Sequence, residues 1–283
     1  MKIIRTISEM QQQSLAWKRE GLRVGVVPTM GALHEGHLSL IDQVLEKSDR
    51  VIVTIFVNPT QFAPNEDLSA YPRTFEADSQ ACKEHGAAAI FFPEVQEMYD
   101  DASSTWVSEE ILSQGLCAGT RPTHFRGVTT IVTKLYNSTL PDLAIFGEKD
   151  FQQLAILRRM TKDLNFPIEV LAGEIVRESN GLAMSSRNKY LTAEERENAA
   201  VLSASLKEVQ SKVAVKAIAA EELISFVSTA ITAAGGLVDY IELRHSETLE
   251  ELTGLIDSQS KARMILAAKF GPARLLDNMA VAE

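Results

Sequence analysis

The chain has 283 residues, 45% apolar and 23% charged, enough for one large domain or two modest ones with proper cores. Its formal charge of −10 at pH 7 argues against a nucleic-acid or anionic-membrane surface. Two cysteines, Cys82 and Cys117, far apart and without a CxxC, exclude a disulfide-stapled scaffold and point to a reducing compartment, the cytoplasm.

The opening MKIIRTISEM holds no apolar run of signal-peptide length, and no later stretch approaches a membrane span. Strand-like runs are predicted over 22–27, 51–57, 88–92, 143–146 and 168–171, with helical patterns between them over 36–47, 75–85, 128–138 and 151–164. Near-continuous apolar strands alternating with helices imply a parallel sheet covered on both faces. Ligands of such sheets bind beyond the carboxyl ends of the strands. The polar loops fall there: PTMGALHEGH after the first run, NPTQFAPNEDLSAYPRT after the second and GEKD after the fourth.

Beyond a polar crossing, VRESNGLAMSSRNKYLT, the texture changes. Two helices are expected over 193–213 and 216–234, the second stopped by Gly235-Gly236, then shorter strands over 238–243, 264–269 and 274–277. Helices followed by strands read as a separate α+β unit. The predicted fold class is therefore α/β, a parallel-sheet domain over 1–176 followed by a smaller α+β domain over 177–283.

The first loop carries the most chemistry. His34 and His37 stand three apart where strand becomes helix, so both rings can reach one oxyanion. A helix start offers unpaired N–H groups and the positive end of its dipole to phosphate. Gly31 and Gly36 let backbone approach a ligand closely. The glycine spacing is that of a P-loop, but His37 and Leu38 stand where that motif needs Lys and Ser or Thr. HEGH is one residue short of the H-E-x-x-H zinc motif and has no evident third ligand. Neither histidine lies on an apolar face, so replacing them is expected to disturb folding little.

Two further groups follow. In GEKDFQQ, Lys149 can meet phosphate as a point charge, Asp150 can cap the next helix, and Gln152 or Gln153 can face the cleft. In AMSSRN, two hydroxyls and the Arg187 guanidinium can wrap a polyphosphate, or the segment can serve as a capping loop.

The HEGH turn and the AMSSRN loop resemble the HIGH and KMSKS signatures of the nucleotidylyltransferase superfamily, with Arg187 in the place of the superfamily's final lysine region. PTMGALHEGH, VNPTQF, YPRT, HFRGV, FGEKDFQQ and GLAMSSRNKYL, in that order, narrow the resemblance to the pantoate–β-alanine ligase family. The resemblance implies a Rossmann-like first domain, a smaller lid-like second domain and a homodimer. It implies ATP, pantoate and β-alanine as substrates, with Mg²⁺, and a pantoyl-adenylate intermediate on the way to pantothenate, AMP and pyrophosphate.

By the same resemblance, His34 and His37 flank the phosphates, with His37 as proton donor. ATP is met by Pro28, Thr29, Met30, His34, Gly36, His37, Gly147, Glu148, Lys149, Asp150, Val176 (through its backbone), Met184, Ser185, Ser186 and Arg187. Gln61 and Gln153 bind pantoate, Gln61 also β-alanine, and the magnesium ligands are not assigned. An amide both donates and accepts, so it can read the hydroxyls and carboxylate of pantoate. The competing readings are another nucleotidylyltransferase of the superfamily, a tRNA-synthetase fragment and a catalytically silent nucleotide-binding module. The first would not require VNPTQF and GEKDFQQ, the second lacks a basic anticodon-binding domain, and the third would not need so many charge-stabilising donors.

Overall fold

The computed structural model describes residues 1–63, 68 and 71–282. The stretches 64–67 and 69–70, inside the long loop after the second predicted strand, lie outside the described residues. The chain forms two compact units: Met1–Glu148 with Ile156–Glu174, and Lys149–Ala155 with Ile175–Glu283.

The first unit is built on β1 (Lys2–Ile4), α1 (Ile7–Arg19), β2 (Val24–Thr29), α2 (Glu35–Leu45), β3 (Arg50–Ile55), α3 (Phe75–Glu84) and β4 (Ala89–Phe91). After them come two single turns, α4 (Val95–Met98) and α5 (Cys117–Thr120), then α6 (His124–Thr139) and β5 (Leu143–Gly147). The helix α7 (Phe151–Asp163), of which residues from Ile156 onward belong to this unit, and strand β6 (Glu169–Gly173) follow. Six strands form one sheet in the order β1-β4-β3-β2-β5-β6, every neighbouring pair parallel. It is the parallel α/β sheet that the alternation implied and the Rossmann-like architecture that the resemblance implied.

Burial explains the continuous apolar runs. Val51, Val53 and Ile55 of β3 join Leu38, Ile41 and Val44 of α2 in one cluster, while Ile52 and Thr54 between them are also buried. A strand covered on both faces has no polar face to show. From β2 the chain steps outward through β3 to β4, then returns to β5 on the other side of β2. Strand order therefore reverses between β2 and β5, and it is outside the carboxyl ends of the strands at such a reversal that open α/β sheets bind their ligands. The ladder between those strands holds only Gly25 with Leu143 and Val26 with Ala144, ending before Pro28, which has no N–H to donate.

The second unit holds α8 (Ala193–Asn198), α9 (Val201–Val213), β7 (Ile218–Ala219), α10 (Ala220–Ala233), β8 (Leu237–His245), β9 (Leu255–Ile256), β10 (Ala262–Phe270) and β11 (Ala273–Ala280). Its antiparallel sheet runs β11-β10-β8, and β7 pairs with β9. Leu202, Leu206, Val209 and Val213 line one face of α9, and Leu223, Val227 and Ile231 one face of α10. They pack with Met264, Leu266, Ala268 and Phe270, alternate residues of β10, in one buried cluster. The unit is α+β, as the order of its patterns implied.

Several boundaries differ from the sequence reading. Strand β2 runs through Pro28 and Thr29 rather than ending at Val27. The single helix expected over 193–213 is two, α8 and α9, divided at Ala199 and Ala200. A capping box starts α8, with Thr192 Oγ1 accepting from Glu195 N–H and Glu195 Oε2 from Thr192 N–H. The helix expected from 216 begins at Ala220, because Ile218 and Ala219 pair with β9. Helix α6 starts at His124, four residues before the predicted 128, so HFRGV forms its first turn. Strand β1 and helix α1 were not read from the sequence at all.

Candidate functional site

Thr29 ends β2 with its hydroxyl donating to Thr54 O at 2.7 Å and accepting from Gly31 N–H at 3.2 Å. Backbone then turns through two left-handed residues, Gly31 at φ +82° and Ala32 at φ +52°. A Cβ at Gly31 would stand 3.1 Å from both Asp78 Oδ2 and Ile55 Cγ2, so only glycine fits the turn without strain.

Helix α2 begins on His34 itself. His34 Nδ1 accepts from Gly36 N–H at 3.1 Å, and His37 Nδ1 accepts from His34 N–H at 3.4 Å, a reciprocal cap built from two histidines. Their ring centroids are 4.1 Å apart. A backbone N–H can only donate, so both Nδ1 atoms are acceptors and both ring protons are assigned to Nε2. The pair thus offers Nε2–H donors at a helix N-terminus. The expectation that these residues matter little for folding is amended, since they satisfy backbone donors that the helix start would otherwise leave unpaired.

Beyond β3, Pro59–Gln61 form a short 3₁₀ turn capped by Asn58. Asn58 is buried and uses its whole amide. Its Nδ2 donates to Gln61 Oε1 at 3.0 Å and Gly127 O at 3.1 Å, while Oδ1 accepts from the Thr60 and Tyr99 hydroxyls. Gln61 Nε2 donates to Met30 Sδ at 3.2 Å, joining the second loop to the first. The main-chain oxygen of Gln61 is held by His124 Nδ1 at 2.8 Å and Arg121 Nη2 at 3.2 Å. A Cβ at Gly127 would stand 2.5 Å from Thr60 O, so glycine lets α6 meet this turn backbone to backbone. Asn58, Arg121 and His124 had no assigned role in the sequence reading. VNPTQF and HFRGV were the available signal, but nothing local says that they meet.

Within the first unit, then, Pro28 and Thr29 end β2, Met30 follows them, His34, Gly36 and His37 cap and open α2, and Gln61 lies in the turn after β3. Gly147 and Glu148 lie at the end of β5, the neighbour of β2 across the reversal.

The remaining residues lie in the second unit, where two neighbours on β11 act as anchors. Asn278 Nδ2 donates to Lys149 O at 3.0 Å, and the buried Asp277 takes a bidentate pair from Arg177 at 2.7 and 2.9 Å. Lys149 Nζ stands 3.8 Å from Asp150 Oδ2, and both residues belong to a 3₁₀ turn, Glu148–Asp150, that runs directly into α7. Gln153 is half-buried and Gln152 buried.

Residues 176–184 fold back on themselves. Met184 N–H donates to Val176 O at 2.9 Å, Glu178 N–H to Leu182 O at 2.8 Å, and Gly181 makes the turn at φ +95°. Ser185 then caps a 3₁₀ turn over Ser186–Tyr190, its Oγ accepting from Arg187 N–H at 3.3 Å, so the capping reading of this loop holds for Ser185. The turn is pinned by the buried Asn188, whose Nδ2 donates to Glu178 Oε1 at 2.7 Å and Ala183 O at 3.0 Å. Arg196 closes the network with two hydrogen bonds to Glu178, which hold the Glu178 carboxyl below its ordinary value, assisted by Asn188.

Residues 2–280 match the family described as pantoate-beta-alanine ligase. The chain belongs to this family.

A pantothenate synthetase of Syntrophobacter fumaroxidans is 48% identical over 279 residues, with 98% of each chain covered. One from Enterococcus faecalis is 45% identical over 279 residues, again with 98% of each covered. Among solved structures, the pantothenate synthetase of Thermus thermophilus superposes with a TM-score of 0.92 at 40% identity over the whole of both chains. The pantoate-beta-alanine ligase of Francisella tularensis, crystallised with beta-gamma ATP and beta-alanine, gives a TM-score of 0.80 at 31% identity, covering 99% of this chain and 98% of that one. The family membership makes this chain a ligase of pantothenate synthesis.

Proposed function

We propose that this chain joins pantoate to β-alanine using ATP, releasing pantothenate, AMP and pyrophosphate through a pantoyl adenylate. One observation carries the reading: a paired-histidine turn at the reversal of strand order, in a chain that matches the family from residue 2 to 280. The Francisella relative was crystallised with an ATP species and β-alanine, which supports both ligands here.

In the first half-reaction a carboxylate oxygen of pantoate attacks the α-phosphorus of ATP and pyrophosphate leaves. Negative charge gathers on the α-phosphate and the leaving group. The Nε2–H groups of His34 and His37 would meet those oxygens, with His37 donating a proton. A donor fixed in advance in this way is worth about 3 kcal/mol. Pro28, Thr29, Met30, Gly36 and Gly147 to Asp150 would line the nucleotide, with the Lys149 ammonium on phosphate and Val176 meeting adenine through its backbone. Met184 to Arg187 would supply hydroxyl and guanidinium contacts, the second unit serving as a lid. Gln61 and Gln153 would read pantoate. In the second half-reaction the β-alanine amine attacks the activated carbonyl and AMP leaves, with Gln61 also contacting β-alanine.

Among the described residues, no group of three or more His, Cys, Asp or Glu side chains gathers as an all-protein metal site. Magnesium is proposed to arrive on the ATP phosphates, whose charge it neutralises, as this ion commonly does. No described helix is long and apolar enough to cross a membrane. A cytoplasmic homodimer is the assembly we propose; two buried cysteines far apart in the chain suit a reducing compartment.

The test is exchange of labelled pyrophosphate into ATP. It should require pantoate and proceed without β-alanine. Exchange that ignores pantoate, or none at all, would overturn the proposal and favour another nucleotidylyl transfer.

A further inference from the structure

Asp78 belongs to none of the six motifs, yet its carboxylate is spent on the most elaborate of them. It is 3% exposed, on the first turns of α3. Its Oδ2 accepts from Ala32 N–H at 2.9 Å and from the Thr74 hydroxyl at 3.1 Å, and its Oδ1 accepts from Leu33 N–H at 2.9 Å. A carboxylate in the first turn of a helix ordinarily serves that helix's own N–H groups. Here both oxygens reach back to a loop more than forty residues earlier in the chain.

The loop needs such an anchor. Ala32 is left-handed at φ +52°, a conformation that L-residues with a Cβ resist. It follows Gly31, also left-handed, and stands two residues before His34. Two parallel hydrogen bonds from successive N–H groups to one carboxylate fix both the position and the tilt of that segment. The surroundings are buried: Cys82, one turn along α3, is 0% exposed, and its thiol is pushed up to about 12, by burial first and by Asp78 second.

We propose that Asp78 is a positioning residue for the reaction, holding the Gly31–Leu33 segment so that His34 and His37 present their Nε2–H donors at a fixed place. The proposal rests on the reading above that those donors serve adenylyl transfer. It acts through the backbone N–H groups of Ala32 and Leu33 that it holds, and a misplacement near 1 Å at a reacting group costs about 10²-fold in rate.

Asp78→Asn is the sharpest variant. The shape is kept, but one acceptor becomes an NH₂ that faces a backbone N–H, a donor against a donor in a buried site. Thr74→Val is the milder one. It removes the hydroxyl on Oδ2 while leaving α3 its cap, because the Thr74 side chain makes no capping bond. Two readouts are taken from each: pantoate-dependent pyrophosphate exchange, and the ring-nitrogen NMR signals of the histidines. For Asp78→Asn, kcat should fall about 10²-fold with KM for ATP little changed. Thr74→Val should show a smaller fall. In both variants the His34 and His37 ring signals should move while His245, in the second unit, stays put.

A folded Asp78→Asn protein with normal kcat and unmoved His34 and His37 signals overturns the proposal. If that variant does not fold, unmoved signals in Thr74→Val overturn it equally. Wild-type protein lacking pantoate-dependent exchange would instead sink the functional reading, while the ring signals would still report whether Asp78 sets the histidines.

Discussion

His124 Nδ1 donates to the main-chain oxygen of Gln61 across 2.8 Å, tying the first turn of α6 to the loop that leaves β3. The partners assign the tautomer. A carbonyl oxygen can only accept, so Nδ1 carries the proton, and Arg121 Nη1 can only donate, so Nε2, 3.2 Å away, accepts. This ring is a strut under the proposed pantoate contact.

Losing the strut should therefore loosen Gln61 without touching the nucleotide. His124→Ala leaves Arg121 as the support for the Gln61 carbonyl. KM for pantoate is expected to rise about tenfold, the scale of about 1.4 kcal/mol for an acceptor left short of a partner. Initial-rate kinetics with each substrate varied in turn check this. A rise confined to KM for ATP would place Gln61 elsewhere in the reaction.

His34 has two separable duties, capping α2 through Nδ1 and donating through Nε2–H. Asparagine caps helices as well as any residue but cannot reproduce the second donor. His34→Asn should keep wild-type stability and lose about 10²-fold in turnover. His34→Ala should lose the same turnover and also about 1 kcal/mol of stability. Urea unfolding beside steady-state rates distinguishes the two, and equal stability of both variants would mean that the cap contributes nothing.

Glu178 should leave its mark on acid stability. Hydrogen bonds from Arg196 first, and from Asn188, hold its folded-state carboxyl below the ordinary value of 4.5. A depressed carboxyl stabilises the fold above its unfolded value, and that contribution disappears as pH falls through the folded one. Glu178→Gln is thus expected to melt below wild type at neutral pH, with the gap narrowing as pH drops below about 4.5. Melting curves from pH 7 to 3 test the sign. A gap that widens in acid would contradict the assignment.

The route through a pantoyl adenylate makes an isotopic prediction. None of the motif residues pairs a nucleophilic side chain with a base, so no acyl- or phosphoryl-enzyme is expected. The pantoate carboxylate must attack phosphorus directly, and one of its oxygens must depart with AMP. Pantoate carrying ¹⁸O in its carboxylate should give labelled AMP by mass spectrometry; unlabelled AMP would end the adenylate route.

What the sequence by itself determined is the set of parts. Buried strands such as β3 announce themselves because a strand covered on both faces must be apolar throughout, and helices such as α2 and α9 because their apolar residues recur at helical spacing. The histidine turn is legible for a similar reason: its glycines, its two imidazoles and the helix start are neighbours in the chain. Only the tertiary structure decided which parts meet. Strand β1 is three residues long and exists because β4 offers it a ladder. Ile218 and Ala219 leave a helical pattern because β9 pairs with them. Asp78 finds Ala32 and Leu33, His124 finds Gln61, and Asn278 finds Lys149 across long stretches of chain. Each of those bonds satisfies a donor and an acceptor that carry no local signature, because any asparagine, aspartate or histidine could have made it. Folding chooses among them by burial, where an unpaired polar group costs most.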